Sequence, residues 1–444
     1  MYVKHPIFAD PDPAARQAVS ERRFLLLQGP HGPFFDRLGA LLRTAGAEVW
    51  RVGFNAGDRF FWRDRRRFIP FTGTVAEWPD RLNRILREKG ITDIVLYGDT
   101  RPAHAAARSL AARRGLRLHV FEEGYLRPYW ISYERGGANG HSALMRIPLE
   151  EMRATLAGAP DDLPRPPCTW GDMREHKFYG ALYHFLVLVA NGRFRAFRSH
   201  RAIPVFQEFR LHLRRLLMSP VDAVLHRIAA HRVKAGGWPF VLVLLQLEHD
   251  SNFQAHSPFR RQRDFTDLCL AEFAAHAPAH HHIVFKSHPL EDGRGRVLAA
   301  IREQAARLGI ADRVHFVRGG RLAALLSRAR SVVTVNSTAA QQALWRGLPV
   351  KALGRAVYAR PRLTSAQTLG AFMADPDRPD RAAYRIFRDY MIQTSQIPGG
   401  FYSSRSRAHA LRVISDLILL DDDPYESLAT GKAALRQQLA LREA

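Results

Sequence analysis

The feature that most constrains the fold is a repeated order of short apolar runs, each stopping at a loop of small or polar residues. Residues 24–27 (FLLL) run into Gln28-Gly29-Pro30-His31-Gly32-Pro33. Residues 93–97 (DIVLY) stop at Gly98-Asp99, and 117–121 (RLHVF) stop at Glu122-Glu123-Gly124. Runs this short and this apolar read as buried strands. Helical patterns at 35–45, 78–89 and 102–114 separate them, and 48–52 (EVWRV) adds a further strand. Alternation of buried strands with helices specifies a parallel sheet.

The same order returns after residue 238. Residues 240–245 (FVLVLL) stop at Gln246-Leu247-Glu248-His249-Asp250, and 282–285 (HIVF) stop at Lys286-Ser287-His288-Pro289. Residues 331–335 (SVVTV) stop at Asn336-Ser337-Thr338, with further strands at 314–317 and 348–352 and helices at 263–275, 296–308 and 339–346. A chain of 444 residues fits two domains. The expected fold is α/β and GT-B-like, with two Rossmann-like parallel-sheet domains facing across a cleft. The expected bounds are 1–237, with a basic helical insertion at about 144–237; 238–379; and a helical tail at 380–444. Gly236-Gly237 reads as the hinge. In open α/β sheets ligands bind beyond the carboxyl ends of strands, so these loops are where chemistry is expected.

Two adjacent carboxylates, Glu122 and Glu123, stand at one such end, beside a glycine that admits close backbone approach. Neighbouring strand residues point opposite ways, so one carboxylate can face substrate while the other braces the loop. A carboxylate there can serve as general base or as nucleophile. Arg127 can pair with a carboxylate or an anionic substrate. Lys286, Ser287 and His288, with Pro289 fixing the turn, offer donors suited to a phosphate. Ser337 or Thr338, on what reads as a neighbouring strand end, can cap the following helix, whose N-terminus also attracts phosphate. Glu248 and Asp250 can bind ribose hydroxyls or merely solvate a turn.

The net charge is +24, from 66 Lys+Arg against 42 Asp+Glu, so the surface attracts anions. Ten of those cations and only two acids lie between Arg193 and Lys234, interleaved with Phe194, Phe197, Phe206 and Phe209. Cys168 and Cys269 are too few and too far apart for a disulfide framework or a cysteine metal site. The run His280-His281-His282 leads into a strand without a matching ligand cluster, so no metal is expected. No G-x-G-x-x-G, Walker A or G-x-S-x-G occurs, which argues against dinucleotide oxidoreductases, P-loop enzymes and α/β-hydrolases. The N-terminus lacks a secretory apolar stretch, and the longest apolar run, 179–190, is shorter than the roughly 20 residues that span a bilayer. A soluble or peripheral protein in a reducing cytoplasm is expected.

The residues QGP at Gln28, EEGYLRPYWIS from Glu122, QLEHDSN from Gln246, HSPF from His256, FKSHPLE from Phe285 and VNSTAAQQALWRGLPV from Val335 together resemble capsule polysaccharide biosynthesis proteins of the KpsS/LipB type, related to KpsC/LipA. The resemblance runs from about residue 24 to 358. It implies a retaining β-Kdo transferase that uses CMP-Kdo to place the first Kdo on a lysophosphatidylglycerol acceptor, with no cofactor. It implies a peripheral location at the inner face of the cytoplasmic membrane. A capsule export and biosynthesis complex is the expected partner, and nucleic acid is not. By carry-over, Glu122 or Glu123 is the catalytic carboxylate. His288, with Pro289, Lys286 and Ser287, belongs to the CMP phosphate, supported by Ser337 and Thr338. Gln246 and Glu248 complete the donor side. Arg127, Gln28 and Gly29 are expected at the sugar carboxylate or acceptor. Competing expectations are transfer of another CMP- or CDP-linked unit, such as sialic acid or glycerol phosphate, and a non-enzymatic polyanion-binding component of capsule export.

Overall fold

The computed structural model describes residues 19–157, 174–194, 196, 228–229, 231–233, 235–289, 291 and 295–431. In chain order the first elements are β1 (Arg23–Leu26), α1 (Phe34–Thr44), β2 (Glu48–Gly53), α2 (Ala56–Phe60), β3 (Phe68–Pro70) and α3 (Trp78–Glu88). Next come β4 (Asp93–Tyr97), α4 (Pro102–Arg114), β5 (Arg117–Glu123), β6 (Trp130–Arg135) and α5 (Arg174–Val189). The later elements are β7 (Phe240–Leu244), α6 (Gln262–His276), β8 (His282–Lys286), α7 (Val297–Arg307), β9 (Val314–Val317), β10 (Ser331–Thr334), β11 (Val350–Ala352), β12 (Gln396–Pro398) and α8 (Ser404–Leu419).

The chain divides into two compact units. One comprises Met1–Ala143, Ala154–His200 and Met391–Ala444, the other Leu144–Arg153 and Arg201–Tyr390. The segment Leu144–Arg153, expected in the first domain, therefore groups with the second. The C-terminal tail is not a separate element either: from Met391 it belongs to the first unit. The proline-rich stretch 160–167 and most of the basic stretch 193–234, including Phe197, Phe206 and Phe209, lie outside the described residues.

The first unit carries a sheet ordered β12-β6-β5-β4-β1-β2-β3. β1 to β5 are parallel; at one edge β6 runs antiparallel to β5, and β12, antiparallel to β6, restores the common direction. The central order 3-2-1-4-5 is that of a Rossmann sheet, with its switch point between β1 and β4. Both faces are covered, which is why β1 and β4 read as continuous apolar runs. Phe34, Leu38 and Leu42 of α1 and Ile414 and Ile418 of α8 cover one face. Trp78, Leu82 and Ile85 of α3 and Ala107 of α4 cover the other. Truncating a fully buried Leu or Ile here to Ala costs about 2–5 kcal/mol.

A buried polar staple fastens α8 to this sheet. Arg22 donates from Nε to Asp93 Oδ2 at 2.8 Å and from Nη2 to Asp93 Oδ1 at 2.5 Å. The same guanidinium donates to the carbonyls of Ile418 and Leu419 at 3.1 Å, satisfying the last turn of α8. His119 Nε2 lies 2.8 Å from Asp93 Oδ1, and its Nδ1 lies 2.8 Å from Tyr133 Oη. Burial pushes the His119 imidazole down to about 4.

The second unit carries a fully parallel sheet ordered β11-β10-β7-β8-β9, again 3-2-1-4-5 in pattern, with its switch point between β7 and β10. Phe265, Cys269 and Phe273 of α6 and Ile301 of α7 pack against Val241, Val243 and Phe285. The strands ending at Lys286 and Thr334 flank β7 on opposite sides. The two strand ends, expected from sequence to be neighbours, are thus separated by β7.

Candidate active site

The switch point of the first sheet is occupied by Gln28, just past β1, and Arg101, just before α4. Arg101 Nη1 donates to Gln28 Oε1 at 3.1 Å. Gln28 Nε2 in turn donates to Tyr183 Oη at 2.9 Å, and Tyr183 also receives Asn55 Nδ2 at 2.6 Å. Tyr183 Oη donates to Asp58 Oδ1 at 3.1 Å, and Arg51 Nη2 lies 3.5 Å from the same oxygen. Burial raises the Asp58 carboxyl and lowers the Arg51 guanidinium, each partly offset by the other's charge. Gln28 is thus locked into a buried polar cluster. Gly29 is buried against Phe35, whose ring lies 2.6 Å from where a Cβ would stand.

Glu122 and Glu123 are the last two residues of β5 and pair with Ser132 and Ile131 of β6. The strand alternates, so their side chains leave opposite faces. Glu123 Oε1 accepts from Tyr97 Oη at 3.2 Å, and Tyr402 Oη lies 3.4 Å from Tyr97 Oη. His176 stacks on Tyr402 with ring centroids 3.9 Å apart. Burial pushes both tyrosine hydroxyls up, so they stay protonated, and Tyr97 remains a donor to Glu123.

Glu122 meets a different set. Asn139 Nδ2 lies 3.5 Å from Glu122 Oε2. Gly98, with φ of 69°, leaves room beside it: a Cβ there would lie 3.2 Å from Glu122 Oε2. Next to Gly98 the buried Asp99 accepts from Ala138 N at 3.2 Å and pairs with His141 Nδ1 at 2.9 Å. A carboxylate on Nδ1 fixes the proton there and leaves Nε2 as the acceptor nitrogen of neutral imidazole. Glu122, Asp99, Asn139 and His141 thus come together around the ends of β4 and β5. Of these, sequence reasoning singled out only Glu122. The strand end at Asp99 was visible; nothing in the linear spacing tied it to His141.

The loop bearing Asn139 and His141 rests on a buried acid. Tyr125 Oη and Ser142 Oγ donate to Glu134, and Tyr425 Oη does so at 2.7 Å. Asn139 N donates to Tyr125 Oη at 2.6 Å. Burial pushes Glu134 up to about 7, against the pull of the three hydroxyls. Gly124 is required at the β5–β6 turn: its N donates to Trp130 O at 2.9 Å, and a Cβ would collide with that carbonyl. Arg127 sits on this turn, exposed, with Nε donating to Gly124 O at 3.3 Å.

In the second unit the switch point is closed by a reciprocal amide pair. Gln246 Nε2 donates to Asn336 Oδ1 at 2.7 Å, and Asn336 N donates to Gln246 Oε1 at 3.1 Å. Asn336 Nδ2 reaches the carbonyls of Asn252 and His256 at 3.1 and 3.3 Å. Ser337 caps the short helical turn that begins at Thr338, its Oγ accepting from Ala339 N at 3.3 Å. Tyr358 Oη donates to Ser337 O at 2.6 Å and pins the loop. Glu248 Oε2 accepts from Gln262 N at 2.8 Å, bracing the start of α6, and Asp250 caps the helix Ser251–His256. Lys286 is buried at the end of β8, with Nζ donating to Ser287 O at 3.1 Å, and burial lowers its pKa. Ser287 is buried, His288 half-buried and Pro289 exposed.

Among the described residues, no helix is long and apolar enough to cross a membrane. The family model described as "Capsule polysaccharide biosynthesis protein" matches residues 92–402. The chain is 31% identical over 392 residues to the capsule polysaccharide export protein KpsS of Escherichia coli, covering 86% of this chain and 98% of that protein. It is 32% identical over 391 residues to the capsule polysaccharide modification protein LipB of Neisseria meningitidis serogroup B, covering 86% and 92%. A solved structure of the Thermosulfurimonas dismutans KpsC β-Kdo 2,7 transferase aligns at a TM-score of 0.38 and 14% identity, covering 83% of this chain and 99% of that one. With a family match over most of its length and relatives aligned nearly end to end, the chain belongs to the capsule polysaccharide biosynthesis protein family.

Proposed function

We propose that the protein is a retaining glycosyltransferase that moves β-Kdo from CMP-Kdo to a lysophosphatidylglycerol acceptor, starting the linker of a capsular polysaccharide. The observation that carries the reading is the cluster around Glu122, where a strand-end carboxylate, a side-chain-free Gly98 and an Asp99-oriented His141 come together. Family membership supports the polymer being built.

Retention follows from two inversions. Glu122 attacks the anomeric carbon, the bond from that carbon to the CMP phosphate oxygen breaks, and CMP leaves with the electron pair. An acceptor hydroxyl then attacks the same carbon. Its proton goes to His141 Nε2, and the bond to Glu122 breaks. Glu123, held by Tyr97, braces the strand end. His288, Ser337 and Thr338 of the second unit are the side chains whose donors suit a nucleotide phosphate. Arg101, half-buried and already aimed at the β1–β4 switch point by Gln28, suits the sugar carboxylate better than the exposed Arg127. The capsule assembly machinery at the inner face of the cytoplasmic membrane is the setting this activity needs.

The full chain, incubated with lysophosphatidylglycerol and CMP-Kdo, CMP-sialic acid or a CDP-linked glycerol in parallel, is expected to release nucleotide only with CMP-Kdo. Release only from another donor would leave the transferase reading and overturn its donor.

A further inference from the structure

Helix α5 is turned inside out relative to an ordinary surface helix. Glu175, His176, Tyr179 and Tyr183 face the rest of the first unit. Tyr183 is buried and bonded to Gln28, Asn55 and Asp58; His176 stacks on Tyr402. Glu175 accepts from Ser404 N at 2.9 Å, and Tyr179 lies under the Arg407 guanidinium. The opposite face is apolar and open. Phe178 is 62% exposed, Phe185 58%, Val189 60% and Leu188 39%. The spacing of seven residues from 178 to 185 and three to four more to 188 and 189 puts these side chains on one stripe. Phe60, at the end of α2, is also exposed, at 49%, and Phe61 beside it packs on Tyr179 and Tyr183 of α5.

The surroundings of this stripe are basic. Arg174 and Lys177 lie at the start of α5, and Arg59, Arg63, Arg65 and Arg66 around Phe60. The nearby acids are engaged: Glu175 with Ser404, Asp64 3.9 Å from Arg43, and Asp36 3.6 Å from Arg63. An exposed apolar stripe rimmed by cations is the pattern of a surface that enters the headgroup region of an anionic bilayer. Apolar side chains insert, while arginines meet lipid phosphates.

We infer that the outward face of α5, with Phe60, is a docking surface for an anionic lipid bilayer. Because the inner face of the same helix carries Tyr183 and His176, docking sets the Gln28 and Glu123 clusters beside the lipid phase. Bilayer docking is measured without donor or turnover, so its failure is distinguishable from failure of the transferase activity.

The test is co-sedimentation of the full chain with vesicles of phosphatidylcholine alone and of equal parts phosphatidylcholine and phosphatidylglycerol. The wild-type chain is expected to pellet with the anionic vesicles, less so as salt rises. The triple variant Phe178→Ser/Phe185→Ser/Val189→Ser is expected to lose binding on the order of tenfold or more, with its thermal transition unchanged. Should the triple variant fold poorly, Phe185→Trp in the otherwise native chain reads the same surface. The emission it adds over wild type is expected to shift to the blue with anionic vesicles and to be quenched by brominated lipid. Equal pelleting of wild type and a folded triple variant overturns the inference, as does an unshifted emission from the Phe185→Trp variant. A wild-type chain that ignores vesicles but self-associates through the patch also overturns it, making the stripe a contact between copies.

Discussion

Gln246 and Asn336 exchange two hydrogen bonds, at 2.7 and 3.1 Å, across the switch point of the second sheet. Gln28 and Arg101 span the corresponding point of the first sheet at 3.1 Å. In each unit one side-chain pair closes the gap where the strand order reverses, and the loops that carry candidate chemistry hang from that pair. Gln246→Ala would leave two buried polar groups of Asn336 unmatched. It is expected to lower stability by about 1–3 kcal/mol, seen as an earlier urea midpoint, and to raise the KM for the nucleotide donor more than it lowers kcat.

The two glutamates should separate by kinetics. Glu122→Gln is expected to lower kcat by about 10³-fold or more. Glu123→Gln, which keeps an acceptor for Tyr97 Oη, should stay within about tenfold of wild type. Steady-state CMP release measures both, and the reverse ranking would transfer the chemistry to the Tyr97 side.

His141 and Asp99 should behave as one unit. His141→Gln is expected to cost about 10²-fold in kcat, and Asp99→Asn a comparable factor through loss of the fixed tautomer. Their effects should not add in the double variant. A double variant whose losses multiply would mean the residues act separately.

Glu134 links folding to pH. Its folded value near 7 lies above the ordinary 4.5, so the native state binds the extra proton. The stability it contributes is fully present below about pH 4.5 and is lost as pH rises through about 7, a swing of about 3 kcal/mol. Buried His119, held down to about 4 from 6.5, has the opposite sign: its contribution is lost as pH falls through that interval. The readout is therefore the difference between wild type and Glu134→Gln in chemical denaturation from about pH 4.5 to 8. The variant should gain on the wild type as pH rises, and a difference that does not change with pH would contradict the assignment.

The parallel strands were legible because both faces of each sheet are covered, which forces continuous apolar runs. β4 and β9 and helix α4 fall at the expected residues. The edge strands were not. β3 is three residues containing Pro70, and β12 is Gln-Ile-Pro; neither has a period to read. β6 buries Ser132 and Glu134, polar residues whose partners Tyr125, Gln396 and Tyr425 lie elsewhere in sequence. Without β6 and β12 the tail past Met391 had no visible attachment to the first unit. At the candidate site the loop ends were legible, since strand order alone directs attention there. The pairing of Asp99 with His141 was not, because it depends on a loop returning after the unread strand β6.

The most direct test of the central proposal is mass spectrometry of lysophosphatidylglycerol after incubation with CMP-Kdo and the wild-type chain, beside the Glu122→Gln variant. The wild type is expected to yield a lipid heavier by one Kdo, and a folded variant to leave the lipid unmodified. Unmodified lipid from an active, CMP-releasing wild type would contradict the acceptor, and Kdo-lipid formed equally by the variant would contradict the role of Glu122.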